Sequence, residues 1–361
     1  MTERPPGPRK LRRIGLLLGG LALSLLALEF GLRAAGYQAR TPRWFDPELG
    51  WRFYPDQLVS MRAGGVDLGR ATIDAHGYRA PAHDPPRAAG ALSIAAVGDS
   101  VTFGWPVADD ETWPAQLEAR LARQLDGRAV AVRNFGVPGW NTSNEERQYP
   151  LHVQPWGPDV VLLGFSLNDT QLEDRGPRNS GGPLFSLLRD TALLTAFHQH
   201  LRPHVSYFDV DPEPAELAQL RMSYRDQRGQ IMLTPKGPGE PYWDRVDQTL
   251  RRFVARVRAD DVKLGLVVFP DHLQIDALRA EGSGLERLDG KGAWASGPQR
   301  HLAKLCAELE LPMLDLLPPF VGMQRAPFHE QDEGHPSAAG YELTAHQIAA
   351  WLRRLGWTQA P

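Results

Sequence analysis

The sequence predicts an α/β fold: a three-layer α/β/α sandwich on a mostly parallel central sheet, preceded by one N-terminal transmembrane helix. Three observations predict it. The short runs LSIAAV (92–97), DVVLLGFS (159–166) and KLGLVVF (263–269) are apolar through their middles, as strands covered on both faces are. Amphipathic stretches of helical length alternate with them, which is the pattern of parallel strands joined by crossover helices. Near the start, the uncharged run IGLLLGGLALSLLAL (14–28) follows Arg9, Lys10, Arg12 and Arg13.

The chain has 361 residues, 42% hydrophobic and 23% charged, enough for one large or two ordinary domains. Its net charge of −3 argues against a polyanion-binding surface, so no nucleic-acid partner is expected. A single cysteine, Cys306, excludes an internal disulfide. Lying in LAKLCAELEL, it reads as a buried apolar residue rather than a catalytic thiol.

Residues 1–13 form a basic, Pro-rich tail, placed in the cytoplasm by the excess of positive charge before the apolar run. Fifteen helical residues span about 22 Å, short of a hydrocarbon core of about 30 Å. Continuing through Leu32 closes most of the gap, giving a signal anchor over 14–32. A cleaved signal peptide is the alternative. The anchor is favoured because no clean Ala-x-Ala site follows the run and no cysteine lies near it. Either way the rest of the chain lies outside the cytoplasm.

Residues 33–90 read as a stem with short strands at WRFY (51–54) and RATI (70–73), ending in the linker HDPPRAAG (83–90). The main domain occupies 91–361. LSIAAV is its first strand, followed by the helix WPAQLEARLARQL (113–125) and the strand AVAVRNF (129–135). Ser143 and Glu146 fit a capping box that opens the next helix. After the strand DVVLLGFS the rhythm breaks. Residues from about 170 to 241 are rich in Pro and Gly, with helical patches at 185–201 and 214–226, and read as a cap-like insertion. The alternation then resumes with the helix DRVDQTLRRFVARVR (244–258), the strand KLGLVVF, the helix QRHLAKLCAEL (299–309), the short strand PMLDLL (312–317) and the helix AAGYELTAHQIAAWLRRL (338–355).

Open parallel sheets bind ligands at the carboxyl ends of their strands. The first strand ends at Gly98-Asp99-Ser100. The second ends in GVPGWN, with Gly136, Gly139 and Asn141. The third ends at Ser166-Leu167-Asn168-Asp169. Near the C-terminus, QDEGHPSAAG places Asp332 three residues before His335, close enough to share one loop. These are the parts for acyl transfer. A serine hydroxyl needs a base to take its proton, and His335 is the candidate. Asp332 would fix the imidazole tautomer and stabilise the imidazolium. The oxyanion needs preorganised donors, and the Ser100 amide, the Gly139 amide and the Asn168 side chain qualify. The surroundings of Ser100 do not fit the G-x-S-x-G elbow.

GDSVTFG (98–104), NFGVPGWNT (134–142), LND (167–169) and DEGH (332–335), in this order, resemble the SGNH (GDSL) hydrolase family. The resemblance covers about residues 91–361 and implies a flavodoxin-like SGNH hydrolase fold. It implies Ser100 as nucleophile, Asp332 and His335 as its partners, and Ser100, Gly139 and Asn168 as the oxyanion hole, with Gly136 as the alternative to Gly139. The anchor and IDAHGYRAP (73–81) resemble membrane-anchored bacterial members, some near polysaccharide-modifying systems. The third block departs from the family's G-x-N-D: Ser166 takes the glycine's place.

The function expected is a serine esterase that removes a small acyl group, such as acetyl, outside the cytoplasmic membrane. Its partners would be an acyl ester, an acylated polysaccharide among the candidates, and the membrane. The alternatives are an O-acyltransferase acting on cell-envelope polysaccharide and a non-catalytic carbohydrate-binding or assembly module. No cofactor or metal is expected, and His198, His200 and His204 are not read as a metal site. Asp99 and Asp169 are read as turn, cap or bracing residues. Trp105 and Trp140 are left open between pocket lining and packing.

Overall fold

The computed structural model describes residues 8–34, 43–46, 48–63, 66–80, 90–125, 128–170, 240–279, 293–330 and 332–359. The chain divides into two compact units, Met1–Pro42 with Pro177–Asp209, and Arg43–Gly176 with Val210–Pro361. The helical patches and histidine cluster of the insertion lie outside the described residues.

In the first unit, helix α1 (Pro8–Ala34) runs past both ends of the expected span. Its 20 residues Gly15–Ala34 include an 18-residue window with a mean hydropathy of 1.9 and are long and apolar enough to cross a bilayer. At 1.5 Å per residue they reach about 30 Å. Leu17 and Leu23 are more than 70% exposed. Glu29 does not stand alone: Arg33, one turn on, pairs with it at 2.7 Å.

The second unit begins with two antiparallel hairpins. β1 (Arg43–Asp46) pairs with β2 (Gly50–Phe53), and β3 (Gln57–Ala63) pairs with β4 (Val66–Ile73). These residues belong to the same compact unit as the main sheet. That sheet contains β5 (Leu92–Val97), β6 (Val130–Asn134), β7 (Val160–Phe165), β8 (Lys263–Val268) and β9 (Met313–Asp315), in the order β6-β5-β7-β8-β9. Every pairing in it is parallel.

Alternation along each strand sorts its side chains into two cores. Ala95, Val97, Val161, Leu163 and Leu266 face the cluster formed with Tyr149 and Val153 after α4 (Thr142–Gln148), with α5 (Glu240–Ala259) and with α7 (Gly297–Glu308), where Trp243, Phe253 and Leu302 are fully buried. Ile94, Ala96, Leu162 and Val267 face the other cluster. It is covered by α3 (Trp113–Gln124) and α9 (Ala338–Arg354), through Trp113, Leu117, Tyr341 and Ile348. Two shorter helices, α6 (His272–Arg279) and α8 (Leu317–Val321), complete the described helical layers. Each large apolar side chain buried this way stabilises the fold by about 1.5–3 kcal/mol.

The start of α4 differs from expectation. Its cap is Asn141, whose side chain accepts from the amides of Ser143 and Asn144, while the Asn144 side chain answers the Asn141 amide. Ser143 and Glu146 do not form the box. Glu146 turns to Arg256 at 3.2 Å.

Strand β5 neighbours both β6 and β7, so the connections leaving its flanks diverge. This is the switch point where an open parallel sheet leaves a crevice at its carboxyl edge.

Candidate active site

Strand β5 delivers the chain to Asp99, which caps the short helix α2 (Ser100–Phe103) by accepting from the Val101 amide at 2.8 Å. The cap makes Ser100 the first helical residue. Asp99, Val101 and Thr102 are buried, while Ser100 keeps partial exposure. His335 Nε2 lies 2.8 Å from Ser100 Oγ. Their 235-residue separation is bridged by a short ribbon, β10 (Phe328–His329) against β11 (Asp332–Pro336). Asp332 and His335 therefore sit on a strand rather than in the expected loop. Ser337 caps α9, its hydroxyl oxygen accepting from the Gly340 amide at 3.2 Å.

Asp332 Oδ1 is 2.9 Å from His335 Nδ1. At this distance the geometry falls short of an aligned hydrogen bond. Catalytic hydrogen bonds are often poorly aligned before substrate binds. Asp332 also accepts from Trp105 Nε1 at 2.8 Å and from the Gly334 amide at 3.3 Å. Burial pushes its carboxyl up. The short contact and charge of His335, then the indole and amide donors, outweigh burial and hold it below the ordinary value as a carboxylate.

The candidate oxyanion donors separate by what they already hold. The Gly136 amide donates to Asn134 Oδ1 at 2.9 Å, so that alternative is spent inside the loop. Gly136 is also required by space: a Cβ there would meet the Phe103 amide nitrogen at 2.3 Å. Gly139 lies at φ +83° and is exposed. Among the described residues, nothing accepts from its amide or from that of Ser100. Asn168 Nδ2 donates one hydrogen to Asp99 Oδ2 at 2.7 Å, which aims the side chain and leaves its second hydrogen available.

The serine in the third block fits its place. The Ser166 amide donates to Asp169 Oδ2 at 2.7 Å, and its hydroxyl faces Asp99 Oδ1 at 3.5 Å. Its φ is not positive, so the site tolerates a Cβ. Asp169 also accepts from the Thr142 hydroxyl at 3.0 Å and ties this loop to α4.

Glu145 carries a signal that sequence reasoning missed. It is fully buried, and neither carboxyl oxygen has a hydrogen-bond partner among the described residues. Burial, then the charges of Asp169 and Asp99, push its carboxyl well above 4.5. Burial also raises Asp99 against the pull of Asn168, and burial followed by the Asp99 charge raises Asp169. Three carboxyls thus interact beneath the asparagine donor. Nothing in the string NEER distinguishes Glu145 from its neighbour Glu146, because only the fold decides which one faces inward.

The two tryptophans part ways. Trp140 is buried and donates to the Trp51 carbonyl at 2.9 Å, a packing role. Trp105 holds Asp332, and its ring centroid lies 6.4 Å from that of His335. Cys306 is buried, and burial pushes its thiol up to about 12, far from a reactive thiolate. Among the described residues no group of three or more His, Cys, Asp or Glu could hold a metal. Two surface cavities of about 420 and 310 Å³ share Arg120, Arg325, Ala339 and Glu342, and neither is lined by Ser100, Asp332 or His335.

Comparison with known proteins gives a family match over residues 96–343, to the GDSL-like lipase/acylhydrolase family. No curated protein matches. Among solved structures, the chain is similar to the lipase/acylhydrolase of Enterococcus faecalis, at 17% identity, with 72% of this chain and 95% of that chain covered and a TM-score of 0.41. The lipase Lip_vut3 from a goat rumen metagenome is 16% identical over 72% of this chain and 97% of its own, with a TM-score of 0.45. The psychrotrophic esterase EstA of Pseudoalteromonas sp. is 10% identical over 73% and 98%, with a TM-score of 0.41.

Proposed function

Since the chain belongs to the GDSL-like lipase/acylhydrolase family and is a serine hydrolase of ester bonds, we propose that it removes a small acyl group, most simply acetyl, from an ester outside the cytoplasmic membrane. Ser100, His335 and Asp332 carry the reaction in this reading. The observation that supports it most is the 2.8 Å contact of His335 Nε2 with Ser100 Oγ, with the Asp332 carboxylate at the other ring nitrogen.

Ser100 Oγ attacks the ester carbonyl as His335 Nε2 takes the hydroxyl proton. Asp332 stabilises the imidazolium that forms. The carbonyl oxygen becomes an oxyanion facing the Ser100 amide, the Gly139 amide and the free hydrogen of Asn168 Nδ2. Collapse expels the alcohol, which takes its proton from His335 and leaves acyl-Ser100. Water then attacks with His335 again as base, and the acid departs. The anchor is the hydrophobic helix α1. The basic tail before it supports placing residues 43–361 outside.

The test is hydrolysis of p-nitrophenyl esters from acetyl to octanoyl by the full chain in detergent micelles. The proposal expects turnover falling steeply with chain length and lost in Ser100→Ala. A preference for octanoyl would overturn the small-acyl reading. Unchanged turnover in Ser100→Ala would overturn the assignment of the site.

A further inference from the structure

The segment before the main sheet holds the chain that follows Ser100 through a buried side chain. Arg79, in IDAHGYRAP, is 2% exposed, and each of its guanidinium nitrogens donates a hydrogen bond. Nη1 donates to the Phe103 carbonyl at 3.1 Å and the Gly104 carbonyl at 2.7 Å, and Nη2 donates to the Val107 carbonyl at 2.6 Å. Nε donates to Asp109 Oδ1 at 2.8 Å. The Asp109 carboxylate is itself pinned, accepting from the Thr72 amide of β4 at 3.2 Å. The cation also lies 5.0 Å from the centroid of the Phe103 ring.

The three carbonyls bracket Trp105. Its own carbonyl accepts from the Tyr341 hydroxyl at 2.7 Å, and its indole Nε1 donates to Asp332 Oδ2 at 2.8 Å. The segment Phe103–Val107 is thus gripped along its backbone, and the one side chain it extends to the acid is that indole.

We propose that Arg79 is a positioning residue for ester hydrolysis, acting on the Ser100–His335–Asp332 site through the segment Phe103–Val107 and the Trp105 indole. This rests on the function proposed above. Arginine suits the task because its planar fork meets several carbonyls at fixed angles. Lysine would keep the charge but present it as a point on a flexible stem. The stretch that follows β4 then completes the catalytic geometry, with the Thr72 amide of β4 holding Asp109 for Arg79.

The test uses the full chain in detergent micelles, p-nitrophenyl acetate as substrate, and Arg79→Lys, Trp105→Phe and their double variant. Each single change should lower kcat about 10- to 100-fold, the range expected for a displacement of about 1 Å, with KM changed less than about threefold. The double variant should lose no more than the worse single, because both act through one contact. Wild-type kcat in Arg79→Lys, or losses that multiply in the double variant, overturns the proposal. If Arg79→Lys melts below the assay temperature, Asp109→Asn serves instead, since it keeps the arginine and removes its anchor. A fall in kcat at constant KM is then expected, and wild-type kcat overturns the proposal. Fluorophosphonate labelling of wild type and Ser100→Ala separates the two failures. Labelling that survives Ser100→Ala sinks the hydrolase site itself, whereas labelling lost there with normal kcat in the Arg79 variants sinks only this role.

Discussion

At the scale of single residues, the site is a set of groups whose hydrogen-bonding capacity is already allocated, apart from the atoms the reaction needs. Asn168 has one hydrogen fixed by Asp99 and one free. Asn168→Ala should therefore cost about 100- to 1,000-fold in kcat, the usual effect of removing one oxyanion donor, while KM changes little. Steady-state kinetics on p-nitrophenyl acetate checks this. Asp332→Asn keeps the shape and removes the charge, and a loss of about 10⁴-fold in kcat is expected from a histidine held in the wrong tautomer. Asp332 also links to stability. Its folded value lies below the ordinary 3.8, so its contribution is complete above that value and disappears as pH falls through the depressed one. Acid unfolding of wild type against Asp332→Asn should diverge above about pH 4 and converge below it. Much of this was legible in the sequence: Ser100, His335, Asp332 and Asn168 lie inside short contiguous blocks, each at a strand end or beside a helix start. The bond from Trp105 to Asp332 spans 227 residues, and Arg79 acts on carbonyls, which look alike in any sequence. Neither could be read without the fold.

At the scale of elements, the burden falls on α4 and the loops that meet α2. Glu145 faces the interior from α4 with no partner among the described residues. Its raised folded value means the folded state favours the neutral acid. That preference stabilises the fold below the ordinary 4.5 and is lost as pH rises through the folded value. Glu145→Met removes the penalty. Thermal unfolding should show the variant more stable than wild type in mildly alkaline buffer, by about 1–3 kcal/mol, with the gap shrinking toward pH 4.5. A gap that does not change with pH would contradict this account. The loop before α4 shows why element boundaries were harder to read than element types. Asn141 and Ser143 are both good caps by residue type. The chain used Asn141, because Asn144 both answers its amide and donates to the Leu49 carbonyl at 2.8 Å, a contact 95 residues distant.

At the scale of the whole molecule, the alternation of apolar strands and amphipathic helices made the layered architecture legible, and the resulting sheet is parallel throughout. The hairpins of residues 43–73 were less legible, because their short strands carry mixed burial and, among the described residues, join no strand of the main sheet. Placement relative to the membrane gives a prediction at this scale. Cys306 is buried, so a cysteine added at exposed Ser60 should dominate thiol labelling. In spheroplasts, Ser60→Cys should react with a membrane-impermeant maleimide without lysis. Reaction only after lysis would place the domain in the cytoplasm. Mass spectrometry of the full chain after reaction with a fluorophosphonate tests whether Ser100 is a nucleophile activated by His335. One adduct is expected, mapped to Ser100, absent from Ser100→Ala and strongly slowed in His335→Ala. An adduct elsewhere in the chain, or an undiminished rate in His335→Ala, would contradict that assignment.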